Sequence, residues 1–250
     1  MVRFCLATPV LPGKLESLRD FDITRKGPRQ HERDAFEKHL KTTKEIAWLQ
    51  KTPQGDLRLV YYEGDADSLK WGVEEIAHMK DSYAGWMKSK WLEFAGLDWT
   101  KPSEELLAHF PEEVFAYEAK GVAAVGTRGM CLALPVVPGK SQVAREFYKT
   151  RMGPRWQEED AWRKEGFKTS REFQWLQKTP RGDLLLIYGE WGGDFKERVE
   201  EFAHLQDEYS RWVKGKLSEI TGIDLSKPFQ GPLPEEIYAY EPKKVVTVHQ

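Results

Sequence analysis

Along the first half of the chain, short runs in which apolar and polar residues alternate are separated by longer stretches with a helical period. Residues 3–10 form a β-rich run that Pro12-Gly13 stops. Residues 14–41 are charged and helical in spacing, with a break expected at Gly27-Pro28 because proline ends or restarts a helix. Residues 45–51 and 57–63 read as two strands joined into a hairpin by Thr52-Pro-Gln-Gly55. Residues 68–95 read as one long amphipathic helix, with Val73, Ala77, Tyr83, Met87 and Phe94 on one side and Gly96 as its stop. Residues 113–118 are the last strand, which completes the order β-α-β-β-α-β.

The second half repeats the first. Trp48-Leu-Gln-Lys-Thr-Pro-Gln-Gly-Asp-Leu57 returns as Trp175-Leu-Gln-Lys-Thr-Pro-Arg-Gly-Asp-Leu184. Pro9-Val-Leu-Pro-Gly-Lys14 returns as Pro135-Val-Val-Pro-Gly-Lys140, and Glu74-Glu-Ile-Ala-His78 as Glu200-Glu-Phe-Ala-His204. Pro111-Glu-Glu113 and Tyr117-Glu118 match Pro234-Glu-Glu236 and Tyr240-Glu241. A period above 100 residues marks a duplicated globular domain rather than a solenoid repeat. The division expected is 1–120 for the first repeat, 121–128 for a Gly-containing linker and 129–250 for the second.

The element order is the ferredoxin-like one: an antiparallel four-stranded sheet with two helices on one face, hence an α+β fold. The other sheet face also needs cover, and two repeats in one chain suggest sheets packed together as an intramolecular pseudo-dimer, leaving a further homodimer open. With its Pro-Gly-Lys turn after the first strand, the chain resembles the dimeric α/β-barrel superfamily. That superfamily includes cofactor-free antibiotic-biosynthesis monooxygenases, haem-degrading monooxygenases, stress-responsive barrel proteins, EthD-like proteins and polyketide cyclases. The Trp-Leu-Gln…Gly-Asp feature and Gly222-Ile-Asp-Leu225 resemble bacterial proteins related to those families. Several superfamily monooxygenases depend on an active-site asparagine beside a tryptophan. This chain contains no asparagine, so Gln50 or Gln177 would have to supply such an amide.

Strand alternation sorts the hairpin side chains. Trp48, Gln50, Tyr61 and Glu63 fall on one face, as do Trp175, Gln177, Tyr188 and Glu190. Ala47, Leu49, Val60 and Tyr62, with Leu176, Leu185 and Ile187 in the second copy, fall on the other, read as the apolar face under the helices. Aromatic walls with a few polar groups suit a ligand pocket. The expectation is a small aromatic or apolar molecule held between the sheets, stacked on Trp48 and Trp175 and positioned by Tyr61 and Tyr188. Glu63 and Glu190 are the candidate general acid/base groups of a cofactor-independent oxygenase, isomerase or cyclase. The alternatives are a non-catalytic ligand-binding, stress-related or structural barrel, with both glutamates in surface pairs, and, third, a haem protein.

Two further motifs are weaker. Glu75-x-x-His78 and Glu201-x-x-His204 set a carboxylate one turn from an imidazole. Paired helices use that spacing for di-metal sites. Here each histidine reads instead as a boundary residue with a local glutamate partner, or as a lesser acid/base candidate, so no metal and no cofactor are expected. The repeated Thr-Arg-x-Gly-Pro-Arg could hold an anion through Arg25 and Arg29, or Arg151 and Arg155, and reads more simply as a helix break with surface arginines.

Composition narrows the partners. The net charge of −2 carries no basic block, which argues against nucleic acid. No apolar run approaches a membrane span, and no signal peptide is read, so the expected location is the cytoplasm. Cys5 and Cys131 occupy equivalent repeat positions and read as two buried thiols.

Overall fold

The computed structural model describes residues 1–119, 129–227 and 231–242. The expected linker, Gly121–Arg128, lies outside them. The fold is α+β, with two antiparallel four-stranded sheets among the described residues. The first half contributes β1 (Val2–Pro9), α1 (Leu15–Lys26), α2 (Gln30–His39), β2 (Thr42–Thr52), β3 (Gly55–Gly64), α3 (Leu69–His78), α4 (Ser82–Ala95), α5 (Ser103–Leu107) and β4 (Glu112–Glu118). The second contributes β5 (Gly129–Pro135), α6 (Ser141–Met152), α7 (Trp156–Trp162), a π-helical turn (Arg163–Phe167), β6 (Thr169–Gln177), β7 (Leu184–Trp191), α8 (Phe195–His204), α9 (Glu208–Thr221) and β8 (Glu235–Tyr240).

The sheets do not follow the repeats. Their strand orders are β1-β3-β2-β8 and β4-β6-β7-β5, so each sheet carries at one edge the last strand of the other repeat. β8 pairs antiparallel with β2, placing Glu45 opposite Tyr240. β4 pairs antiparallel with β6, placing Glu118 opposite Arg171. The compact units follow this exchange. One gathers Met1–Phe4, Thr8–Ala108 and the segment from Glu235; the other gathers Cys5–Ala7 and the described residues of His109–Pro234.

Turn chemistry sets both hairpins. Thr52 pairs with Gly55, and its hydroxyl donates to the Gly55 carbonyl at 2.7 Å while accepting from the Gln54 N–H at 3.2 Å. Thr179 repeats this with Gly182 at 2.6 Å and Arg181 at 3.2 Å. Gly55 and Gly182 sit at φ 118° and 116°, a region open mainly to glycine.

Helices α1 and α2 break at Gly27-Pro28 as expected, and Gly96 ends α4 in the left-handed conformation at φ 70°. The single helix expected over 68–95 is instead two, α3 and α4. Asp81 is the reason: its carboxylate caps α4 by accepting from the Tyr83 and Ala84 N–H groups at 2.9 Å. Lys88 then reaches back to the Ala77 and Met79 carbonyls at 2.8 and 2.7 Å and satisfies the end of α3. Asp207 and Lys214 do the same between α8 and α9.

The face under the helices departs from the expected apolar one. Helix α1 buries Leu18, Phe21, Asp22 and Arg25, an i, i+3, i+4, i+7 stripe with two charges in it. Arg25 donates to Glu45 of β2 at 2.9 and 2.7 Å and to Glu37 of α2 at 2.7 Å, while Arg58 of β3 donates to Asp22 at 3.1 Å. In the second unit Glu159 accepts from Arg151 at 2.7 and 2.6 Å and from Arg163 at 2.6 Å, and Arg163 also pairs with Glu172 of β6. Arg25 and Arg151 are therefore not surface arginines; they are 4% and 1% exposed. Arg29 and Arg155 do lie farther out, paired with Glu32 and Glu158 and laid 4.8 Å over Trp86 and 4.3 Å over Trp212.

The copies solve this burial with exchanged charges. Arg33 and Glu37 of α2 stand where the second repeat has Glu159 and Arg163. The buried Asp22–Arg58 pair is matched by Tyr148 and Leu185, and the Tyr148 hydroxyl donates instead to Gln174, where the first repeat has Ala47. Buried charges persist only when paired, so each change at one position is answered at another.

Candidate functional site

The opposite faces of the hairpins carry the residues singled out in the sequence. In β2 and β3 the register sets Trp48 opposite Leu59, Ile46 opposite Tyr61, Gln50 opposite Leu57 and Lys44 opposite Glu63. In β6 and β7 it sets Trp175 opposite Leu186, Phe173 opposite Tyr188, Gln177 opposite Leu184 and Arg171 opposite Glu190. Directly opposite residues of an antiparallel pair share a face, so the alternation expected of each hairpin holds. All eight candidates are buried, Trp48, Tyr61 and Tyr188 completely.

Each unit then builds the same polar group. The Tyr61 hydroxyl donates to Glu63, and the Tyr188 hydroxyl donates to Glu190 Oε1 at 2.6 Å. A basic residue stands opposite each glutamate: Lys44, whose ammonium lies 3.4 Å from Glu241, and Arg171. Arg171 Nη1 lies 3.6 Å from Glu190 Oε1, its Nη2 donates to Glu118 at 3.2 Å, and its guanidinium covers the Phe173 ring at 5.1 Å. The Phe173 and Tyr188 rings lie parallel, 6.4 Å apart between centroids. A carboxylate held by a phenol beside a cation can hold a polar substrate atom and pass a proton to or from it.

Gly129 makes room for this arrangement. It opens β5 opposite Glu190, and a Cβ there would lie 2.4 Å from the Tyr188 hydroxyl oxygen. Gly129→Ala should therefore drive the phenol off Glu190 and cost about 1–3 kcal/mol by overpacking. A urea melt and the tyrosine signals of the variant check this; unchanged stability would mean that the ring shifts without strain. The first repeat has Arg3 at the corresponding position, so the two Tyr–Glu groups have different surroundings.

The remaining candidates are used differently. The Gln177 amide clamps one backbone unit within the second compact unit, its oxygen accepting from the Ala7 N–H and its nitrogen donating to the Ala7 carbonyl, both at 2.8 Å. His78 and His204 are exposed at the ends of α3 and α8. Neither has the local glutamate partner that the spacing suggested. Glu75 pairs instead with His39 at 2.7 Å and Glu201 with Arg198 at 2.5 Å. Among the described residues no cluster of three or more His, Cys, Asp or Glu side chains is placed to hold a metal ion, and no helix is long and apolar enough to cross a membrane.

Sequence reasoning missed the buried ionic clusters. In the first unit, burial pushes Glu37 up to about 8, reinforced by the neighbouring Glu45. Burial also opposes ionisation of Glu45, but Arg25 outweighs it and holds that carboxyl below its usual range. In the second unit burial is overcome by Arg151 and Arg163, which hold Glu159 at about 2. The available signal was phase: Glu45 and Glu172 fall in step with the helix-side residues Ala47 and Leu176, and out of step with Trp48 and Trp175.

No protein-family model matches the chain, and no curated protein matches it. Among solved structures it is similar to a Fusobacterium nucleatum subsp. nucleatum protein named "Putative monooxygenase", with a TM-score of 0.48 and 10% identity over 96% of this chain and 94% of that one.

Proposed function

We propose that this chain, a tandem of two β-α-β-β-α-β repeats that exchange their last strands, binds a small aromatic or apolar molecule on the Trp/Tyr/Glu face of its hairpins. The observation that carries the reading is the Tyr–Glu pair built at the same place in both units, a polar anchor set among buried aromatic rings. Trp48 and Trp175 serve as stacking walls. Glu63 or Glu190, relayed by its tyrosine, exchanges a proton with the ligand, which suits cofactor-independent oxygenation, isomerisation or cyclisation. A second reading, a structural protein without a ligand, is favoured by one specific observation: the Gln177 amide is already engaged on both sides by the Ala7 backbone.

A screen of small aromatics separates the two. A ligand at about 100 times its dissociation constant should stabilise the fold by roughly 2.7 kcal/mol and quench tryptophan emission. Glu63→Gln and Glu190→Gln should keep the fold and weaken that binding at least tenfold. A broad screen with no binder and near-unchanged stability in both variants would leave the structural reading standing.

A further inference from the structure

Cys5 of β1 and Cys131 of β5 are the chain's two cysteines, one per repeat at matching positions. Both fall in the second compact unit and are fully buried, with their sulfurs 2.8 Å apart. That is closer than the roughly 3.5–4.0 Å usual even between non-bonded carbons. It is about 0.75 Å longer than a disulfide bond of about 2.05 Å. A core that only needed two small apolar side chains would not require the sulfurs to meet. β1 and β5 each lie at an edge of their sheet, and a transient opening of either edge strand would give a small oxidant access to the thiols.

We propose that Cys5 and Cys131 are a modification site that closes into an intramolecular disulfide under a hydroperoxide. One sulfur attacks the O–O bond of hydrogen peroxide and becomes a sulfenic acid, releasing one water. The second sulfur displaces the sulfenic hydroxyl, which leaves with the remaining thiol proton as a second water. The two sulfurs are oxidised and the peroxide is reduced. Burial, together with the Cys5 thiol, pushes the Cys131 thiol well up. The reaction is therefore slow and paced by strand opening, and the bond once formed is shielded from reductants in the same way.

The test treats the full-length folded protein with hydrogen peroxide, then denatures it in an alkylating agent and measures the intact mass. The expected result is the loss of two hydrogens, no alkylated cysteine, reversal by dithiothreitol, and a melting temperature raised by about 5–15 °C. Cys131→Ser under the same treatment should give no such loss, and it needs no fold comparison because the decisive readout is on the parent protein. Two alkylated cysteines after treatment, oxygen located on Cys5 or Cys131 by peptide mapping, or covalent dimers would overturn the proposal; oxygen on the exposed Met1 and Met152 is methionine sulfoxide and is scored apart.

Discussion

Glu159→Gln should lower the stability of the second unit by about 3–5 kcal/mol, the usual cost of removing one partner from a buried ion pair. Glu159 is fully buried and accepts from both Arg151 and Arg163, with the Tyr209 hydroxyl as a further donor. The amide keeps the shape but removes the charge, leaving two arginines that are 1% and 2% exposed with Glu172 as their remaining partner in the cluster. The same carboxylate gives a pH dependence of known sign. Its folded value of about 2 lies below the ordinary 4.5, so its stabilisation is present above pH 4.5 and is lost as pH falls toward 2. Urea melts of parent and variant between pH 3 and 7 should draw together toward the acid end; parallel curves would show that Glu159 is not the titrating group.

The first unit should respond in the opposite sense. Glu37 has a folded value of about 8, above the ordinary 4.5, so the native state holds a proton there that the unfolded chain gives up. Its contribution is present below pH 4.5 and is lost as pH rises through 8, on the order of a few kcal/mol. A protonated carboxyl resembles an amide, so Glu37→Gln should change stability near pH 6 by about 1 kcal/mol or less and remove the decline between pH 6 and 9. A loss of 3 kcal/mol or more at pH 6 would place a full charge on Glu37 instead. The contrast follows from the exchanged positions. Arg25 faces two carboxyls, Glu37 and Glu45, whereas Glu159 faces two arginines.

The shared face of the candidate residues was legible because strand phase is a two-way choice. Once Trp48 and Tyr61 were assigned to strands joined by the four-residue turn from Thr52 to Gly55, their shared face followed, and Trp175 and Tyr188 of the second copy take the same phase. The ionic clusters were hidden because Thr24-Arg-Lys-Gly-Pro-Arg29 has the composition of a solvated helix end, while the partner of Arg25 lies twenty residues on, at Glu45. The i, i+4 exchange of Arg33 and Glu37 for Glu159 and Arg163 was the visible clue, since solvated charges have no reason to invert together. The strand exchange left no such trace. β4 and β8 share Pro-Glu-Glu and Tyr-Glu, so either strand suits either sheet edge by pattern alone.

The order of synthesis turns that exchange into a delay. β1, β2 and β3 are complete once Gly64 has been made, but the strand that closes the outer edge of β2 starts at Glu235, 171 positions later. At about 5–20 residues per second a ribosome needs roughly 10–35 s to reach it. During that time the edge of β2 lacks its native partner strand, and such an edge is the kind of surface that recruits other strands. Slowing translation of the second repeat should therefore raise aggregation of the newly made protein without changing the stability of the finished one.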